Sequence, residues 1–279
     1  MHSDRPPPAI DTTTAHPARR YNFWLGGKDN FEADRHSADE IEAVFPGIRT
    51  AAVENRAFLQ RTVQALVKEE GIRQILDVGT GLPTADNTHE VAQRLAPETR
   101  VVYVDNDPLV LVHARALLTS HPHGATNYIQ ADLRHPDTIL TDPGLNNTLD
   151  LSQPVAVLLV AILHFLPDAE QAYAAVRTLM NAVAPGSYLV LSHATYDLLH
   201  PETADALTTR NLPSLGDFTP RTRQQIAHFF DGFDLLPPGL EIVSAWRPEP
   251  GDKLPPPANV SVYGAVAHKP ASCTPGASC

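Results

Sequence analysis

Cysteine is nearly absent from this chain: two of 279 residues, Cys273 and Cys279, both within the last seven positions. A disulfide scaffold is therefore excluded. No cysteine or histidine lies between the two thiols, so metal-knuckle spacing is missing and no metal is expected. Positive charge is also scarce, with 21 Lys and Arg against 32 Asp and Glu and a net charge of −11. A general binder of phosphate backbones needs a basic face that releases counterions, so nucleic acid is not an expected partner. Long apolar runs are missing as well. The longest, 155–163, has nine residues, where a membrane-spanning helix needs about 20, so no membrane partner is expected. The opening Met1-His2-Ser3-Asp4-Arg5 runs into Pro6-Pro7-Pro8 without a signal peptide's apolar core, which predicts a cytoplasmic protein.

What remains is ordinary for a folded chain, 43% hydrophobic and 19% charged. The length fits one large α/β domain with appendages. Prolines number 26 and gather at the ends and around 237–257. Residues 1–17 and 269–279 read as a disordered arm and tail, holding too little apolar surface to offset ordering entropy. Helical spacing predicts helices near 30–45 and 52–70, the latter on Val53, Ala57, Leu59, Val63, Leu66 and Val67, so 18–72 reads as a helical cap. From Arg73 strand and helix patterns alternate, the signature of a parallel sheet with crossover helices. The predicted strands are 74–78, 101–104, 126–130, 155–162 and 187–192, with helices at 84–95, 108–119 and 168–183. Thr219-Pro220 reads as the start of a helix reaching about Phe230. The last strands, 240–246 and 260–267, have no helix between them and should pair antiparallel. A Rossmann-like α/β fold follows, seven strands with an antiparallel last strand, spanning 73–268.

The first strand runs into Asp77-Val78-Gly79-Thr80-Gly81-Leu82-Pro83-Thr84 before a helix. Glycines there allow the backbone to approach a ligand, although the same turn also serves as a plain connection. A dinucleotide fingerprint needs a third glycine where this chain has Thr84. The second strand ends in Val104-Asp105-Asn106-Asp107-Pro108, 28 residues after Asp77. A carboxylate at that strand end faces the crevice and can accept ribose hydroxyls, the role expected of Asp105, while Asp107 before Pro108 reads as an N-cap. The third strand ends in Ala131-Asp132-Leu133-Arg134, where Asp132 can accept from an adenine amino group.

With three acids at three successive strand ends, the chain resembles class I S-adenosylmethionine-dependent methyltransferases across about 73–267. More narrowly, Ala18-Arg19-Arg20-Tyr21-Asn22-Phe23-Trp24-Leu25-Gly26-Gly27-Lys28-Asp29-Asn30-Phe31-Glu32-Ala33-Asp34-Arg35 resembles the opening signature of an actinobacterial S-adenosyl methyltransferase family, formerly a domain of unknown function. Asn55-Arg56-Ala57-Phe58, Gly79 to Thr84 and Leu163-His164-Phe165 fit the same family. The resemblance implies a seven-stranded class I fold that binds S-adenosylmethionine and releases S-adenosylhomocysteine. It places Asp77 at the head of the binding series and Gly79, Thr80 and Gly81 under the methionine. Asp105 and Asn106 then lie at the ribose, Asp132 and Leu133 at the adenine, and Ala161 beneath the sulfonium. Pro83 departs from the broader superfamily, where many members carry glycine.

His164, at the carboxyl end of the fourth predicted strand, is the first catalytic candidate, a base for the nucleophile or else a neutral hydrogen-bonding group. His193, ending the fifth strand, is a second. The 21–30 cluster is expected to fold over the cleft or simply to dock on the sheet. In the first case Lys28 or Asn30 binds the methionine carboxylate or substrate, and Tyr21 or Asp29 holds the nucleophile. Arg19 and Arg20 are either solvated surface or a cation cluster favouring an acidic substrate. The expected activity is methyl transfer to a small molecule, with the acceptor pocket walled by the N-terminal segment, His164 and residues 196–218. A homodimer is compatible with the sequence. A non-catalytic S-adenosylmethionine-binding protein and, ranked lower, a nicotinamide-dependent oxidoreductase are the alternatives.

Overall fold

A computed structural model describes residues 10–84, 86–117, 119–209 and 213–271; the arm through Ala9 and the tail with Cys273 and Cys279 lie outside the described residues. Five parallel strands form the body of one sheet: β1 Gln74–Val78, β2 Arg100–Asp105, β3 Ala125–Gln130, β4 Ala156–Val160 and β5 Tyr188–Ala194. Short β6 Asp234–Leu235 and β7 Glu241–Ile242 and the longer β8 Val262–His268 complete it in the order β3-β2-β1-β4-β5-β8-β6. β8 runs antiparallel between β5 and β6, and β7 also pairs with it. Side chains alternate faces along a strand, so Leu76, Val102 and Val157 enter one core while Ile75, Val101 and Leu158 enter the other. A sheet buried on both faces needs the near-continuous apolar strands seen in the sequence.

The helices on the two faces are unequal. α3 Ile48–Lys68 and α4 Thr88–Leu95 cover one with Phe58, Val63, Leu66 and Val91. Ala169–Ala182 covers the other with Val176 and Leu179, joined by Phe229 and Phe230. Over the carboxyl ends of the strands sit α1 Pro17–Trp24 and α2 Glu32–Val44. Two of these depart from expectation. α1 is not among the helices expected from the sequence, since its eight residues span only about two turns; it is opened by the His16 ring accepting from Ala18 N. α4 begins at Thr88 rather than near Thr84, since Asn87 and Glu90 form a reciprocal capping box.

Three further differences have visible causes. The predicted strand 240–246 shrinks to β7, because Arg61 Nε and Nη2 donate to the Trp246 and Val243 carbonyls at 2.9 and 2.6 Å and hold 243–245 as a 3-10 turn. With Asp234–Leu235 added, the sheet has eight strands instead of seven. The helix expected from Thr219 starts at Arg223 with Thr222 as its cap, since the Thr219 and Arg221 amides bond the His164 and Ala194 carbonyls. Residues 10–16, expected to be free, are held: Asp34 accepts the His16 amide at 2.8 Å and Ile10 packs beside Leu82. At the other end Lys269 Nζ donates to Met180 and Val183 carbonyls, each at 2.7 Å. Among the described residues no helix is long and apolar enough to cross a membrane.

Candidate functional site

Strand order reverses between β1 and β4, and the crevice beyond their carboxyl ends is where open α/β sheets bind ligands. Gly79 and Gly81 turn there with φ of +76° and +69°. A Cβ on Gly79 would lie 2.6 Å from Ile162 Cγ1, whereas one on Gly81 would meet only open space. The first glycine thus lets the β1 and β4 ends close together, and the second faces room. Asp105 is buried beside this turn, its Oδ2 accepting from Gly81 N at 2.8 Å and its Oδ1 from Asp107 N at 2.9 Å. Each oxygen keeps a lone pair for a further donor. Burial raises the Asp105 pKa, although the two amides oppose it. Burial likewise pushes Asp77 up to about 6, against the Thr88 hydroxyl at 2.6 Å. Asp132 is buried less, and a fork from Arg134 at 2.7 to 3.0 Å outweighs that burial and holds it low.

Beyond the turn a cavity of about 820 Å³ opens between the strand ends and the cap. Asp77, Gly79, Thr80, Gly81, Asp105, Asn106, Asp132, Leu133 and Ala161 all contribute to its wall. Opposite them stand Arg20, Tyr21, Trp24, Ile41, Phe45 and Ile48 from the cap. Ala161 is held in the left-handed region at φ +56°, where a non-glycine residue carries strain on the order of 1–3 kcal/mol.

The Ala161 amide is shared between the Ser192 carbonyl, at 3.2 Å, and the Ser192 hydroxyl, which opens a directed chain of hydrogen bonds. Ala161 N donates to Ser192 Oγ at 3.0 Å, Ser192 Oγ to Asn55 Oδ1 at 2.5 Å, Asn55 Nδ2 to Tyr21 Oη at 2.9 Å, and Tyr21 Oη to the Ala52 carbonyl at 3.0 Å. Asn55 and Ser192 carried no assigned role in the sequence. Tyr21 lines the cavity, but its proton is committed to Ala52; burial raises its pKa, so it is a poor base.

His164 lines the cavity too, with Phe165 and Phe218 against its ring at 4.5 and 5.0 Å between centroids. Its Nδ1 accepts the Ala194 amide at 3.4 Å, which leaves the proton of the neutral ring on Nε2. Burial, then the neighbouring His193 and Arg221, hold its pKa well below the usual value. Of the two roles expected for His164, base or neutral hydrogen-bonding group, this arrangement favours the second. His193 lies behind the wall, fully buried: Nδ1 bonds its Ala194 carbonyl at 2.8 Å and Nε2 accepts from Arg221 Nη1 at 2.8 Å. Burial drives it down to about 3. Arg221, missed in the sequence, also donates to the Leu163 and Leu166 carbonyls at 2.9 and 2.7 Å, pinning both sides of His164.

Lys28, Asp29 and Asn30 lie outside the cavity wall. The Asn22 side chain captures their loop, its Oδ1 accepting from Asp29 N at 3.1 Å and from Asn30 Nδ2 at 3.0 Å. A Cβ on Gly27 would sit 2.3 Å from Asn22 Nδ2, so this close approach requires glycine. Asp29 instead faces His113, 3.8 Å away. Arg19 and Arg20 are buried rather than solvated. Arg19 forks onto Asp107 at 2.8 and 2.9 Å, and Asp107 in turn caps Leu109 N at 3.0 Å.

Comparison with known proteins agrees with this geometry. A model of the S-adenosyl methyltransferase family matches residues 3–270. Among solved structures, a DUF574 family protein from Streptomyces avermitilis MA-4680 is 42% identical, superimposing with a TM-score of 0.86 over 94% of this chain and 100% of its own. A candidate methyltransferase from Thermobifida fusca YX is 41% identical, with a TM-score of 0.85 over 96% of this chain and 100% of its own. No curated protein matches the sequence. With a family model spanning nearly its whole length and a glycine turn and strand-end acids on one cavity, the chain belongs to the S-adenosyl methyltransferase family.

Proposed function

We propose that the chain transfers the methyl group of S-adenosylmethionine to a small-molecule acceptor held in the same cavity. The observation that carries this reading is the continuity of one space of about 820 Å³ from the glycine turn and Asp105 to the apolar cap. That is near the top of the range for small-molecule sites, about 300–1,000 Å³. The residues fit the cofactor: Gly81 faces open space, and the Asp105 oxygens keep lone pairs after binding two amides.

When bound, S-adenosylmethionine would supply an activated methyl group on sulfur, with S-adenosylhomocysteine as the product. The chain's own residues then bind and orient. Asp105 and Asn106 take the ribose hydroxyls, Asp132 and Leu133 the adenine, and Asp77 with the 79–81 turn the methionine. Ala161 forms the floor below the sulfur. His164 Nε2–H donates to the acceptor, and Phe165 and Phe218 exclude water around it. Alignment of two bound reactants in a dry site lowers the barrier by several kcal/mol.

Calorimetric titration with S-adenosylhomocysteine tests this, using Asp105→Asn and NADH as controls. Micromolar binding that weakens about 10- to 100-fold in the variant is expected from losing a charged acceptor. Binding of NADH in place of the adenosyl ligand would overturn it.

A further inference from the structure

One wall of the cavity carries a cation that no carboxylate contacts. Arg20 is 6% exposed, its Nη1 donates to Ser37 Oγ at 3.2 Å, and its buried Nε has no partner. The carboxylate that acts on it electrostatically, Asp34, is fully buried, with its oxygens accepting the His16 and Phe31 amides at 2.8 Å each. One helical turn along α1, on the same face, the indole Nε1 of Trp24 is also buried without a partner. Both residues line the cavity. Buried donors without acceptors are costly, and a guanidinium most of all, so two on one face mark a place for a ligand's negative oxygens.

The surroundings say what else the ligand carries. Ile41, Phe45, Ile48, Leu207 and Leu215 line the same space, an apolar chamber wide enough for a ring. A second cation stands on the glycine-turn side of the cavity. Arg56 also lines the cavity and acts on Asp77 beside the glycine turn, whereas Arg20 acts on Asp34 of α2.

We propose that Arg20 and Trp24 form the anion subsite of the acceptor, and that the acceptor is an apolar, ring-bearing carboxylic acid. The proposal rests on the methyltransferase reading of the same cavity. The planar guanidinium takes the carboxylate through Nε–H and a terminal N–H, the Trp24 N–H adds a third donor, and the ring lies against the α2 side.

The test is calorimetry on protein saturated with S-adenosylhomocysteine. The probes are indole-3-acetate and 3-phenylpropanoate, each against its uncharged amide. The acids should bind at least tenfold more tightly than the amides. Arg20→Gln should erase that difference, Arg20→Lys should keep part of it, and Trp24→Phe should weaken the acids a few-fold. S-adenosylhomocysteine affinity should stay within twofold in every variant, which also shows that each is folded. Amides binding as well as acids, or no acid binding at all, overturns the subsite. So does a tenfold loss of S-adenosylhomocysteine affinity in Arg20→Gln that decarboxylated S-adenosylhomocysteine does not share, since the guanidinium would then hold the cofactor. Failure of S-adenosylhomocysteine to bind the wild-type chain is a separate signature, which removes the methyltransferase reading itself.

Discussion

Replacing Arg20 by methionine should make the ligand-free protein more stable. Burial pulls the Arg20 pKa from the usual guanidinium value down to about 10, with Asp34 only partly compensating. A base whose folded pKa lies below its unfolded value binds fewer protons when folded. The cost is therefore fully present at neutral pH and fades only as pH rises through about 10. At about 1.4 kcal/mol per pKa unit it comes to roughly 3 kcal/mol. Losing the bond to Ser37 gives back about 1 kcal/mol, leaving a net gain near 2 kcal/mol. With an unfolding entropy of about 2.1 cal/mol/K per residue, that raises Tm by about 3 °C. Scanning calorimetry at pH 7 measures it, with Arg20→Lys, which keeps a buried cation, expected to show no gain. A Met variant melting at or below the wild type refutes the claim that this guanidinium is under-solvated and waiting for an anion.

Other expectations follow from the same geometry. Asn55→Ala removes two links of the buried chain, leaving the Ser192 hydroxyl proton without an acceptor and Tyr21 Oη without its donor, so urea unfolding should show a loss of about 2–3 kcal/mol. Asp77, pushed up to about 6 by burial, binds protons more readily folded than unfolded, so its contribution to stability falls as pH rises from about 4 to 6. Asp77→Asn, which keeps an oxygen for Thr88, should therefore raise Tm at pH 7 and leave it unchanged at pH 4. His164 stays neutral, so methyl transfer should show no pH limb near 6.5. His164→Gln, which keeps an N–H donor, should retain more activity than His164→Leu; a steep acid limb that His164→Gln abolishes would show that the ring acts as a base.

Much of the sheet was legible because β1 to β5 are buried on both faces and read as apolar runs; their bounds fall within about two residues of expectation. The strand-end acids and the glycine turn were legible for a related reason, since their places depend on strand ends alone. The cap was less so. Lys28, Asp29 and Asn30 look functional in sequence, yet the Asn22 side chain folds them away from the cavity. Arg19 and Arg20 are neighbours in sequence, but one has a carboxylate 88 positions away and the other has none within a hydrogen bond. Ser192 meets Asn55 across 137 positions, and Arg221 reaches back 58 to Leu163. No local period encodes contacts at such separations.

The chain from Ala161 to Ala52 begins at a group that can only donate and ends at one that can only accept, so its three side chains admit one proton arrangement. Its links therefore stand or fall together. Swinging α1 outward would free the Tyr21 hydroxyl, then Asn55, then Ser192, and would leave the Ala161 amide with its other bond alone, to the Ser192 carbonyl at 3.2 Å. The cap is consequently a brace as well as a cover: it reaches the turn under the cavity through three side chains, while β5 holds the same amide by its backbone.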